Sequence, residues 1–127
     1  MDENIIHIGI ADFTDPTLLI VGSANELISL SKLFDMEIFD FLDISKFFIS
    51  VGINLNIQIV KNDSDVTVLY KKIDWFLNCK DARNFASQIR ELVKFEFPSH
   101  IYLNCSKNQS IEIVVSKDEY DPNIVFS

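Results

Sequence analysis

The carboxylates of Asp35, Glu37, Asp40 and Asp43, the imidazoles of His7 and His100 and the thiols of Cys79 and Cys105 are the groups whose types and spacing could do chemistry in this chain. Paired carboxylates can serve as acid and base on a glycosidic bond or share a divalent cation. The segment around these four lacks the glycine and polar turn of a calcium loop. Its rings, Phe34, Phe39 and Phe41, suit a dry contact better than a hydrated ion. His7 and His100 fall on separate predicted strands, and no His/Cys spacing matches a zinc or thiol–imidazole site. Cys79 stands at a predicted helix start with no histidine near it in sequence. His100, Tyr102 and Asn104 share one strand parity and would form a polar face able to hold a small ligand. The three glycines (Gly9, Gly22, Gly52) occur singly, so no loop can cradle a phosphate. These absences predict a non-enzymatic protein without metal or cofactor.

Charge separates the chain into two parts. Residues 1–45 carry nine acids against Lys32, whereas residues 46–127 balance ten acids with ten Lys and Arg, so the net charge of −8 belongs to the first third. Nucleic acid needs clustered cations, which argues against direct binding to it. A basic partner is the natural complement. Asp2 and Glu3 precede the first apolar run, the wrong charge order for a secretory signal, and no apolar run approaches the roughly 18 residues of a membrane span. The expectation is a cytoplasmic protein with both cysteines reduced and no membrane partner.

The elements that would position these groups follow from periodicity. Residues 4–10 and 17–21 read as a hairpin, and Ser23 with Glu26 forms a capping box ahead of a helix bearing Leu27, Leu30, Leu33 and Phe34 on its apolar face. The helical reading extends through residues 35–43, as a continuation of that helix or a short second one, where Glu37, Asp40 and Asp43 recur at i, i+3 and i+6 and share a solvent face. Phe34, Ile38 and Phe41 then turn inward, and Phe39 is left as the ring that reaches out. The predicted binding set is therefore Asp35, Glu37, Phe39, Asp40 and Asp43.

Residues 53–59 alternate as a strand, with residues 66–77 as one long partner in a meander. Asn78 or Asp81 caps a second helix with Ala82, Phe85, Ala86, Ile89, Leu92 and Val93 in its stripe. Residues 100–104 and 110–116 form a final hairpin, and part of the tail from Lys117 to Ser127 packs back. The expected fold is one α+β domain over 1–127: about six strands in an antiparallel or mixed sheet, two to three helices, order ββα(α)ββαββ. Its two strand-strand-helix units suggest a loose internal repeat.

Asp81-Ala-Arg-Asn-Phe-Ala-Ser-Gln-Ile-Arg-Glu-Leu92, Ser99-His-Ile-Tyr-Leu-Asn104 and Ile111-Glu-Ile-Val-Val-Ser116 resemble the helix, "H-x-x-L-D" strand and final "L-x-I" strand of small immunity proteins of bacterial polymorphic and contact-dependent toxin systems. The match covers about 35 residues, and Asn104 replaces the Asp. The resemblance implies a cytoplasmic inhibitor of a cognate toxin domain with a basic surface, many such toxins being nucleases. Two other classes fit the same composition: an acidic nucleic-acid mimic directed at a host defence enzyme, and a small ligand-binding domain using His100, Tyr102 or Cys79.

Overall fold

Leu18-Leu19-Ile20-Val21 is apolar at every position, a run that fits a strand covered on both faces rather than one. The computed structural model, which describes residues 6–13, 15–35, 42–43 (backbone alone), 47–104, 109 and 111–126, places this run at the centre of a five-stranded sheet. The strands are β1 (Ile6–Asp12), β2 (Pro16–Gly22), β3 (Leu42–Asp43), β4 (Phe48–Val51), β5 (Asn54–Val60), β6 (Asp65–Leu69), β7 (Lys72–Asn78), β8 (Ser99–Leu103) and β9 (Glu112–Lys117). The helices are α1 (Ala24–Phe34), α2 (Cys79–Leu92) and the short α3 (Pro122–Val125). The first sheet runs β4-β1-β2-β9-β8 and the second β3-β5-β7-β6. Both mix parallel and antiparallel pairs within a single α+β domain.

The order of pairing reveals two matching halves. In one, the β1–β2 hairpin leads into α1; in the other, the β6–β7 hairpin leads into α2. An offset of 55 residues carries the N-cap Ser23 onto the N-cap Asn78, and carries buried Leu27, Leu30, Ser31 and Phe34 onto buried Ala82, Phe85, Ala86 and Ile89. Each half then sends two strands to the other's sheet. β5 joins β7 in parallel with β3 antiparallel outside it, and β9 joins β2 in parallel with β8 antiparallel outside it. β4, parallel to β1, is the addition that breaks the symmetry. Only the unlike side chains at matched positions hide the repeat from a residue-by-residue reading.

The capping details make the same point. Ser23 accepts from the Glu26 amide and the Glu26 carboxylate accepts from the Ser23 amide at 2.9 Å. In the second half the acid at that place is Asp81, one methylene shorter. The buried Ser64 hydroxyl spans the gap, accepting from the Asn78 amide at 2.9 Å and donating to the Asp81 carboxylate. Ser64→Ala should therefore leave a partly buried amide and a carboxylate short of a partner. A loss of about 1–3 kcal/mol in unfolding free energy, read from urea denaturation, is the expected result.

Helices α1 and α2 pack together beside the sheets, and Phe34, Trp75 and Phe85 meet there with ring centroids 6.3 Å apart in each pair. Leu18, Ile20, Ile113 and Val115 of the first sheet face this core together with Ile57, Ile73 and Leu77 of the second. The opposite face of the first sheet presents Ala11, Leu19, Val21 and Val114, and the chain's own tail covers it with Val125 and Phe126. A Cβ on Gly9 would stand 2.8 Å from the Phe126 ring and 2.9 Å from the Val51 carbonyl oxygen. Gly9→Ala should thus cost about 1–3 kcal/mol by overpacking, and less in a Phe126→Ala background, as a double-mutant denaturation cycle would show.

Two local expectations need correction. Residues 66–77 are not one strand: β6 and β7 are a hairpin turning at Tyr70–Lys71, and β7 lies between β5 and β6, so the three strands do not form a sequential meander. Side-chain parity changes at that turn, which leaves Leu69 exposed while Ile73, Trp75 and Leu77 are buried. Nor does α1 continue as one helix to Asp43. α1 ends at Phe34 with Asp35 as its C-cap, and Leu42–Asp43 pair with Ile59 and Gln58 as a strand. A strand pairing at Asp43 satisfies backbone groups that a continued helix would have used internally.

Candidate functional site

Strand pairing brings distant residues onto the outer face of the first sheet. The β8–β9 register sets His100 opposite Ser116 and Tyr102 opposite Val114; the β2–β9 register sets Thr17 opposite Glu112. All belong to the face turned away from α1 and α2. Asp118, with φ of 62°, turns the chain as it leaves β9, and Glu119 and Tyr120 come back over this face. The β1–β2 turn contributes Phe13 and Asp15 from the other side. Together these residues line an open cavity of about 330 Å³. A second cavity adjoins it, sharing Asp15 and Glu112 and adding Pro16, Val68 and Ile111.

The walls are aromatic. Phe13 and Tyr120 pair with centroids 5.8 Å apart, and His100 meets Tyr102 edge to face at 5.6 Å. Phe13, Tyr102 and Tyr120 all remain exposed, at 38, 50 and 39%. Aromatic area left in water at a concave site is a mark of recognition surfaces.

The polar groups divide into two kinds. Glu119 is committed internally: His100 Nδ1 donates to its carboxylate at 3.0 and 3.1 Å, and Ser116 Oγ donates to Oε1 at 2.6 Å. Both donors meet one carboxylate instead of each other, so no hydroxyl–imidazole–carboxylate sequence is formed. Ser116 is also fully buried. This trio therefore holds the tail to β8 and β9. Asp15 and Glu112 are the other kind, exposed carboxylates on the cavity rim. With rings beside them they can receive a cation, which gains both Coulomb attraction and contact with aromatic faces.

Of the predicted set, Asp35 and Asp43 are placed elsewhere. Asp35 caps α1 on the helical side of the molecule, where its carboxylate stands 3.6 Å from Arg90 Nη1 of α2, both about half exposed. An acid at a helix C-terminus faces the negative end of the dipole, and the Arg90 pairing offsets it. Asp43 lies in β3. Glu37, Phe39 and Asp40 lie outside the described residues. The common helical face expected for Glu37, Asp40 and Asp43 is excluded by the strand at Asp43.

Sequence reasoning found His100 and Tyr102 on one polar face but missed Phe13, Asp15, Glu112, Glu119 and Tyr120. Their common signal is the parallel pairing of β2 with β9, which joins positions about 95 residues apart and leaves no local pattern. Cys79 is the first residue of α2, partly buried against the core, and Cys105 lies outside the described residues. Among the described residues no cluster of His, Cys, Asp and Glu could hold a metal ion, and no helix is long and apolar enough to cross a membrane.

No protein-family model, curated protein or solved structure matches this chain.

Proposed function

We propose that this chain is a non-enzymatic inhibitor of the immunity-protein type, which binds a cognate toxin domain and uses the outer face of its first sheet to engage a basic surface. The observation that carries the reading is the cavity in which the exposed carboxylates of Asp15 and Glu112 stand among the exposed rings of Phe13, Tyr102 and Tyr120. Charge at such a rim speeds encounter with a basic protein, and desolvated rings slow release. The toxin nucleases implied by the sequence resemblance present basic active sites, and an acidic face can cover one.

The commitment of His100 to Glu119 and the burial of Ser116 favour binding over turnover. The chain's net charge of −8 supports the same sign of partner. Toxin–inhibitor pairs of the nuclease class approach the limit of non-covalent affinity, so a correct pairing should be unmistakable. The direct test is growth of cells expressing the toxin domain encoded beside this chain's gene, with and without this protein. Rescue is expected; killing that continues unchanged would refute the assignment.

A further inference from the structure

We propose that the tip of the β6–β7 hairpin, Leu69–Tyr70, is a docking knob that inserts into an apolar socket next to the partner's basic surface. Tyr70 has φ of 59°, and its exposure is 83%, with Leu69 at 77%. Leu69 pairs with Lys72, so Tyr70 and Lys71 are the two central residues of the hairpin connection. Positive φ at the first of them alone is the pattern of a type II′ turn, whose first central position belongs to glycine. A tyrosine there is strained, and its exposed ring recovers little inside the molecule. Its ring contact is with the neighbouring Lys71 ammonium, 5.6 Å from the centroid. A residue that costs the free protein stability while showing its ring to solvent is placed as a binding anchor would be.

The position of the tip selects its occupant. Val68, one residue before Leu69, lines the second cavity together with Asp15 and Glu112, so the knob continues the surface that faces the basic partner. The proposal thus rests on the function inferred above. It adds that the partner carries an apolar socket sized for a phenol ring, bordered by the Lys or Arg side chains that meet Asp15 and Glu112. An exposed Leu-Tyr-Lys-Lys tip also suits a lipid surface, but the flanking carboxylates and the net charge of −8 would repel an anionic one.

The test uses Tyr70→Gly, because the two roles of the ring predict changes of opposite sign. Relief of the strain should raise the melting temperature of the free protein by about 3 °C. The same change should weaken binding to the catalytically inactivated toxin domain about thirtyfold, the effect of removing a hot-spot aromatic. A lower melting temperature would mean that the ring is structural and would overturn the knob. Unchanged affinity, with wild type binding tightly, would overturn the knob and leave the inhibitor reading intact. Failure of the wild type itself to bind would remove both. Wild-type adhesion to phosphatidylcholine–phosphatidylglycerol vesicles, lost in Tyr70→Gly, would overturn the protein socket in favour of a lipid surface.

Discussion

Phe85→Ala is expected to lower the unfolding free energy by about 3–5 kcal/mol, a large share of the roughly 5–15 kcal/mol typical of a whole domain. Phe85 is 2% exposed and joins Phe34 and Trp75 where α1 and α2 meet the sheets. Removing its ring deletes an edge contact with Phe34 and a tilted one with Trp75, and leaves a cavity that neither can fill without leaving its own packing. The sole buried polar side-chain atom without a partner among the described residues is Trp75 Nε1. Phe85→Leu keeps most of the volume and should lose less than half as much. Thermal and urea denaturation of the two variants would check the ranking. Because Phe85 lies on the far side of the first sheet from Asp15 and Glu112, the part of Phe85→Ala that remains folded in the cold should still bind partner at near wild-type affinity.

The second prediction has the opposite profile. Replacing Asp15 and Glu112 together by lysine should leave the melting temperature within about 2 °C of wild type, since both are exposed and surface charges of this kind contribute little to folding. Affinity for the basic toxin domain should fall by at least about a hundredfold, because two favourable contacts become two repulsive ones at a desolvated rim. Most of the slower encounter should appear in the association rate and lessen with added salt. Surface plasmon resonance at low and physiological ionic strength would read both effects. Asp35→Lys is the matched control, an acid of the same first third that faces Arg90 on the helical side.

Most of the fold was legible because its local signals are strong. The Ser23–Glu26 box, the α2 stripe of Ala82, Phe85, Ala86 and Ile89, and the β1–β2 and β8–β9 hairpins are all found where periodicity and capping place them. What escaped was the exchange of strands between halves, since the parallel pairs β2–β9 and β5–β7 are set by tertiary packing and have no turn to announce them. One trace of it was present. The unbroken apolar runs at Leu18–Val21 and Ile113–Val115 require cover on both faces, and the tail provides the second cover through Val125 and Phe126. The helical reading of residues 35–43 failed at Asp43 for a related reason. Acids and rings at i, i+3 spacing are compatible with a helix, but the edge of β5 offered a strand pairing that periodicity does not register.

The same limitation governed the site. Charge counting drew attention to the first third, and among its described acids Asp15 is the one that the fold carries to the aromatic cavity, where it meets Glu112 from the electrically balanced remainder. Neither Phe13 nor Tyr120 is distinctive alone; the groove exists only once the β1–β2 turn and the tail have closed over β9.

Hydroxyl-radical footprinting with mass spectrometry, performed on the free protein and on its complex with the toxin domain, tests the central claim most directly. Oxidation of Phe13, Tyr102 and Tyr120 should fall at least severalfold in the complex, that of Tyr70 should fall with them, and Phe97, 61% exposed beyond the end of α2, should be unaffected. Protection of Phe39 with Phe13, Tyr102 and Tyr120 still oxidised as in the free protein would contradict the account and return the interface to the acidic stretch at residues 35–43.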